Sequence, residues 1–591
     1  MTFLKRFFAT FLGALAAIWF FFIVGLLLLV GMSQLDSAPS VSDKTVLSVK
    51  LNRPLIDYRG STKNDLFSAL FQEFIALDEM VEAIDAAAID DRIKGISIES
   101  PVIIGGWAQT TLIRDAIERF KTSGKFVYAY ADTYTQRAYY LASVADSVFV
   151  PPAGAIDLRG LASELTYYKS FQDKTGLKME VIRHGKYKAA VEPYLEDAPT
   201  KENLEQVKRL LNSLWAGVSE AIGTSRKLEQ SQLDNVVSTA IARDPESALQ
   251  HGVVDGLLYK DDYEESLKRA LKTDANPVSA ASKLNEISVA SYSRTLAVKS
   301  VDTKDRIALV YAQGTILYGE GSPTIMGQTT MNRALISARE DNTVKAVVLR
   351  INSPGGSALT SDLIWREVKK TASVKPVVVS ISDIAASGGY YIAAPATYII
   401  ADRSAITGSI GVFGTLPNAS ALAKEWGINS YSVGTHERSV TYSALQPLSE
   451  SFRAELQDGI ERTYDLFIHR VAEGRSMTAD EVDAIAQGRV WGAEDALEIG
   501  LIDEIGGLEI ALEKAAALAE IDTYKVRKYP RFKSDFERLF SDLPNALVQR
   551  WFAENTPSWA QRYKHFWEEV SAPNTSPYDI QARIPYELNI E

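Results

Sequence analysis

The chain has 591 residues, 46% of them hydrophobic and 23% charged, with a net charge of −12 and no cysteine. That length exceeds what one core serves, so two or more domains are expected, in a composition typical of globular chains. The acidic balance excludes a nucleic-acid partner, and the missing cysteines exclude disulfides, thiol catalysis and cysteine-bound zinc or iron–sulfur sites.

The first predicted element is apolar. Lys5 and Arg6 precede an uncharged run from Phe7 to Met32, and the next charge is Asp36. Such a run meets the roughly 20 residues that cross a bilayer core and exceeds the about 7–15 of a cleaved signal peptide. It predicts an uncleaved N-terminal transmembrane helix in contact with the lipid bilayer. By the positive-inside rule the basic stub stays cytoplasmic and the remaining chain crosses. In a bacterial cell that is a single-pass inner-membrane protein with its body in the periplasm.

Beyond the anchor, one unit is written twice. "KGISIES" (94–100) resembles "KAVVLRINS" (345–353), and 126–160 resembles 377–411. Placing Tyr139-Tyr140 on Tyr390-Tyr391 gives an offset of 390 − 139 = 251, at which Lys94 meets Lys345, Asp132 meets Asp383 and Gly160 meets Gly411. Further on, "PESALQHGVVDG" (245–256) answers "AEDALEIGLIDEIGG" (493–507) at a slightly different offset. This is an internal duplication. In each copy short β-branched runs alternate with helices, at 111–124 and 361–373, and a long helix follows near 201–223 and 449–473. Strands alternating with helices make an α/β unit. "TADE" (478–481) is a capping box that opens a further helix.

These boundaries divide the chain into 1–44 (stub, anchor and short linker), 45–273 (first repeat), a Ser- and Ala-rich linker 274–304, 305–525 (second repeat) and an aromatic tail 526–591. In the tail, Trp551, Trp559 and Trp567 stand among charges. That pattern suits either a membrane-interfacial segment or burial against the protein's own body or a neighbour.

None of the histidines, His184, His251, His436, His469 and His565, lies in a metal-spaced pair, and neither a phosphate-binding loop nor a dinucleotide fingerprint is present. No metal and no cofactor is expected. The second repeat does carry two glycine-rich loops, "NSPGG" (352–356) and "AASGGYY" (385–391), each after an apolar strand. Glycines there let backbone N–H groups approach a reacting oxygen, with Gly356 and Gly388 the natural donors. Ser387 opens a helix, where free N–H groups stabilise an oxyanion. It is a candidate nucleophile, or else a small residue at a tight helix contact. A serine hydroxyl needs a base. Spacing leaves His184 and His436 open, and a lysine serves if burial leaves it neutral. "RHGKYKAAVEPY" (183–194) offers Lys186 and Lys188.

Together "NSPGGS", "AASGGYYIAAPA" and "TGSIGVFG" in the second half, with "GKYKAAVEP" in the first, resemble the signal peptide peptidase A (protease IV) family in its long two-domain bacterial form. The likeness covers roughly 1–520 in the family's order. It implies tandem Clp-protease/crotonase-like domains and a serine/lysine dyad, with Ser387 the nucleophile and Lys188 the general base. It implies an oxyanion hole from Gly356 and Gly388, with Ser409 of "TGSIG" lining the site. Cleaved signal peptides and other unfolded apolar peptides are the substrates it implies, and a homotetramer the assembly. The duplication gives an independent check. At the 251 offset Ser387 faces Gln136, and a looser alignment at 249 sets Lys188 against Glu437, so each half lacks what the other keeps. The first copy's "ESPVIIGG" stands where the second has "INSPGG", and its loop is expected to be nonfunctional. Two other readings remain: a crotonase-like enzyme acting on acyl thioesters without a nucleophile, and a non-catalytic membrane scaffold.

Overall fold

The computed structural model describes residues 2–35, 40–60, 74–271, 284–296, 303–439, 441–532 and 581–583. The apolar run forms a single helix, Thr2–Leu35, with Phe11, Trp19 and Phe21 exposed. Among the described residues no helix is long and apolar enough to cross a membrane. Trp551, Trp559 and Trp567 lie outside the described residues.

The repeats fold as two sheets with one strand order. The first sheet runs 256–257, 147–150, 126–130, 93–98, 45–49, 286–288, and all its pairings are parallel. The second places 504–505, 398–401, 377–386, 344–353, 306–313 and 525–529 in the same sequence, also parallel. Central strands are buried along their length, as in Val344–Ser353 and Val377–Ala386, because helices cover the faces. Those helices repeat too: Leu77–Ile89 and Trp107–Lys121 correspond to Gln328–Glu340 and Ala358–Ala372, 251 residues on (328 − 77 and 358 − 107). Each turns one apolar stripe inward, Ile113, Ile117 and Phe120 in one copy and Ile364, Trp365 and Val368 in the other.

Polar anchors are copied with the same fidelity. Tyr139 donates its hydroxyl proton to the Val253 carbonyl and Tyr390 to that of Leu501, both at 2.7 Å. Lys125 caps the carbonyls of Ala87 and Asp90, and Lys375 those of Ala338 and Asp341. Residues 286–293, within the stretch read as a linker, add an edge strand and a short helix to the first repeat. A three-residue strand hides in a Ser-rich context because its pairing partner, Thr45–Val49, lies some 240 residues away.

Two seams join the halves. In the first, strand Lys178–Arg183 of the first repeat pairs antiparallel with Phe413–Asn418 of the second, from Arg183↔Phe413 to Lys178↔Asn418. Ile182 enters the core of the second repeat, while Val181 and Val191 pack on Phe413. The second seam is polar. Between Ile351↔Ile381 and Ser353↔Ala385 the strand 377–386 carries extra residues, and this bulge turns Asp383 outward. Its Oδ1 accepts the N–H groups of Ala108 and Gln109 at 2.8 and 3.3 Å, capping the first repeat's helix Trp107–Lys121. Asn352 donates to Oδ2 at 3.1 Å, and burial, with Asp57 nearby, pushes the Asp383 carboxyl up to about 7. The first copy's glycine loop thus receives a carboxylate from the second copy.

A Cβ on Gly106 would lie 1.9 Å from Asp383 Oδ1. Asp383 is half-buried and tied on both oxygens, so Gly106→Ala is expected to lower the stability by about 1–3 kcal/mol, the usual cost of overpacking. Thermal unfolding beside the parent protein checks it, and an unchanged midpoint would mean the carboxylate moves aside freely.

Candidate functional site

Strand Val377–Ala386 ends at a sharp turn into helix Gly388–Ala393, and Ser387 is the turn. Its backbone has φ 55° and ψ −117°, a region that disfavours a side chain. The turn is pinned, since the Ser387 N–H donates to the Gly408 carbonyl at 2.7 Å. At the matching place in the first repeat Gln136 is the first residue of an ordinary helix whose cap, Thr135, is extended at φ −68°. Its side-chain oxygen accepts the N–H groups of Arg159 and Gly160. Only the copy with the serine carries the strained turn.

Lys188 arrives from the other repeat. Strand Lys178–Arg183 delivers the chain to Gly185, where φ is +99° and a Cβ would sit 2.5 Å from the Gln487 carbonyl oxygen. A 3-10 turn, Ala189–Val191, follows the lysine. Buried Glu192 holds that turn by accepting the Thr200 N–H at 2.6 Å and the Tyr167 hydroxyl at 3.3 Å. Lys188 Nζ then lies 3.0 Å from Ser387 Oγ, 3.0 Å from Ser409 Oγ and 3.1 Å from the Ser409 carbonyl. Ser387 Oγ also lies 3.4 Å from the Gly411 carbonyl.

No carboxylate faces this ammonium among the described residues, and burial alone lowers the Lys188 pKa to about 7. The neutral amine has two N–H groups and one lone pair. Ser409 takes both N–H groups, which leaves the lone pair facing the Ser387 hydroxyl. That geometry can draw a proton from serine.

The glycine loop lies alongside. Gly355 has φ +97°, open to glycine alone without strain. Gly356 sits in strand Gly355–Ser357, so close to its neighbour that a Cβ would lie 2.1 Å from the Ile316 carbonyl oxygen. Gly388 opens the helix after Ser387, where N–H groups have no partner inside the helix.

A scan against family models matches peptidase family S49 twice, over residues 119–274 and 369–522. Protease 4 of Haemophilus influenzae is 34% identical over 513 residues, covering 83% of this chain and 82% of its own. Protease 4 of Salmonella typhi is 35% identical over 499 residues, covering 82% and 79%. The chain belongs to peptidase family S49. It is a serine peptidase. Among solved structures a ClpP1 of Listeria monocytogenes matches at 15% identity, over 34% of this chain and 94% of its own, with a TM-score of 0.24.

The other sequence candidates lie elsewhere in this peptidase. Lys186 stacks over the Tyr187 ring, with its Nζ 5.6 Å from the centroid. His184 pairs with Glu461 at 2.6 Å and stacks on Tyr464. His436 is exposed beside Thr435 and Ser439. Glu437, set opposite Lys188 by the looser alignment, falls in the short 3-10 helix Glu437–Ser439.

The family resemblance places Ser409 as a lining residue, and the sequence carries no signal for Gly488. Ser409 has φ 50° and contacts the lysine through two oxygens. Gly488, at φ +79°, lets the chain pass so close that a Cβ would sit 2.6 Å from Lys188 Cβ. Nothing in "IAQGRV" (485–490) distinguishes that glycine from any turn glycine, because its need arises from a segment 300 residues away.

Between pH 7 and 10.5 the unfolded chain keeps a proton on Lys188 that the folded chain has released, so stability rises with pH across that window. At pH 7 the burial costs at most about 5 kcal/mol, at 1.36 kcal/mol per pH unit. Lys188→Met is therefore expected to melt above the parent at pH 7, by a margin that shrinks towards pH 10. A margin independent of pH would mean the lysine is not held neutral.

Proposed function

We propose that Ser387 is the nucleophile and Lys188 the general base of one peptidase site per chain, assembled between the repeats. The reading rests on the 3.0 Å approach of Nζ to Oγ where, among the described residues, no carboxylate faces the buried lysine. In this mechanism the Ser387 hydroxyl gives its proton to the Lys188 lone pair as Oγ attacks the peptide carbonyl. The oxyanion is held by the N–H groups of Gly356 and Gly388. The ammonium formed is steadied by the two Ser409 oxygens and passes its proton to the departing amine. Lys188, neutral again, then takes a proton from the water that attacks the ester and returns it to the departing Ser387 Oγ, which restores the free serine and the neutral amine.

The proposed substrates are cleaved signal peptides and other unfolded apolar peptides. A relative from Enterococcus faecium carries the name putative signal peptide peptidase, at 33% identity over 199 residues. The run Phe7–Met32 is proposed as the inner-membrane anchor that sets the peptidase near such remnants, with both repeats in the periplasm. The assembly proposed with it is a homotetramer, supported by the family resemblance alone.

Labelling the detergent-solubilised protein with a fluorophosphonate and mapping the adduct tests the assignment. The adduct is expected on Ser387, lost in Ser387→Ala and Lys188→Ala and kept in Lys186→Ala. The labelling rate should rise with pH through an apparent pKa of about 7, since the lysine acts only when neutral. Labelling that survives Lys188→Ala removes the base. No labelling at all returns Ser387 to a packing role.

A further inference from the structure

Both loops that meet the Lys188 amine lean on one short segment, residues 487–489. On one side the Tyr187 N–H donates to the Gln487 carbonyl at 2.9 Å, next to the lysine. On the other the Gly488 N–H donates to the Ile410 carbonyl at 2.8 Å and the Ser409 N–H to the Arg489 carbonyl at 2.6 Å. The lysine stem is gripped between them. A Cβ on Gly488 would sit 2.6 Å from Lys188 Cβ, and one on Gly411 3.2 Å from Lys188 Cδ.

The same segment faces open space on its outer side. A cavity of about 320 Å³ lies there, lined by Lys186, Tyr187, Asp483, Gln487, Arg489 and Trp491, with room and polar partners for water. Gln487 and Arg489 border this cavity while Gly488 between them touches the lysine. One thickness of backbone therefore divides water from the stem of Lys188.

That partition is held in a conformation a side chain disfavours, since Gln487 has φ 53°. Gln487 Nε2 donates to Asp483 Oδ1 at 2.6 Å and to the Tyr464 hydroxyl at 3.3 Å, and its N–H donates to the same hydroxyl at 3.4 Å. Tyr464 gives its own proton to Asp483. The ring is buried, and His184, paired with Glu461, stacks on it with centroids 3.8 Å apart.

We propose that Tyr464 and Asp483 are positioning residues for the base: they lock Gln487 in its left-handed turn, and the locked segment keeps water from Lys188 and Ser409 against its amine. The proposal rests on the assignment of Lys188 as base. Lys186, Asp483 and Arg489 face the segment from the cavity, Arg489 paired with Glu205 at 2.9 Å, and Arg183 donates to the Lys188 carbonyl at 3.3 Å from the seam. All of these charges stay in Tyr464→Phe, so a changed lysine titration in that variant reports water rather than a lost charge.

Tyr464→Phe removes only the hydroxyl and keeps the ring. With water admitted the lysine holds its proton to higher pH. Fluorophosphonate labelling of Ser387 at pH 7 is then expected to fall about fivefold and to regain the parental rate by about pH 10. Adding Gln487→Gly, which takes the left-handed turn without a clamp, restores the parental profile. Independently of labelling, hydrogen exchange at the Tyr187 and Gly488 amides is faster in Tyr464→Phe and slows again in the double variant. A rate lowered by one factor at every pH means a merely structural hydroxyl and overturns the proposal, as does unchanged exchange. A double variant that stays slow overturns the role of the left-handed turn. A parent whose own labelling does not rise with pH through about 7 removes the base assignment, while faster exchange in Tyr464→Phe would keep the clamp.

Discussion

The buried amine of Lys188 is the constraint on which the rest of the site depends. A lysine reaches a pKa of about 7 only when water is kept from it and no acid compensates. Both conditions come from the seam between repeats. The antiparallel pairing of 178–183 with 413–418 carries the lysine in, and its Nζ comes to rest 5.8 Å from the Phe413 ring centroid. A carboxylate at contact distance would have made the same lysine a charged structural partner. Ser409 offers only uncharged oxygens, which satisfy the amine's N–H groups without holding a proton on it.

Duplication explains why this site can exist in a single chain. Each repeat has its own parallel sheet and its own large core. The seam is then free to be specialised. In the first copy the place of Ser387 is filled by Gln136, whose oxygen ties down two backbone N–H groups, and N–H groups after the glycine loop donate to Asp383. The first copy's loop thereby helps to fix the second repeat in place. The strained φ at Ser387 fits this division, because strain persists where surrounding structure over-determines it, and the Gly408 contact and two flanking strands do so here.

The sequence reveals this architecture unevenly, for physical reasons. Strands and helices that repeat at a constant offset are visible because both copies keep the same burial, as with Val347 and Ile96 or Tyr390 and Tyr139. Ser387 and Lys188 stand out through their glycine and small-residue surroundings, since close backbone approach requires those residues. Relations between distant segments leave no such trace. The bulge that presents Asp383, the passage of Gly488 beside Lys188 and the pairing of residue 582 with Gly356 are each set by a partner remote in the chain. Ser409 stands out within "TGSIG", but its two contacts to the amine depend on a left-handed backbone that composition does not announce.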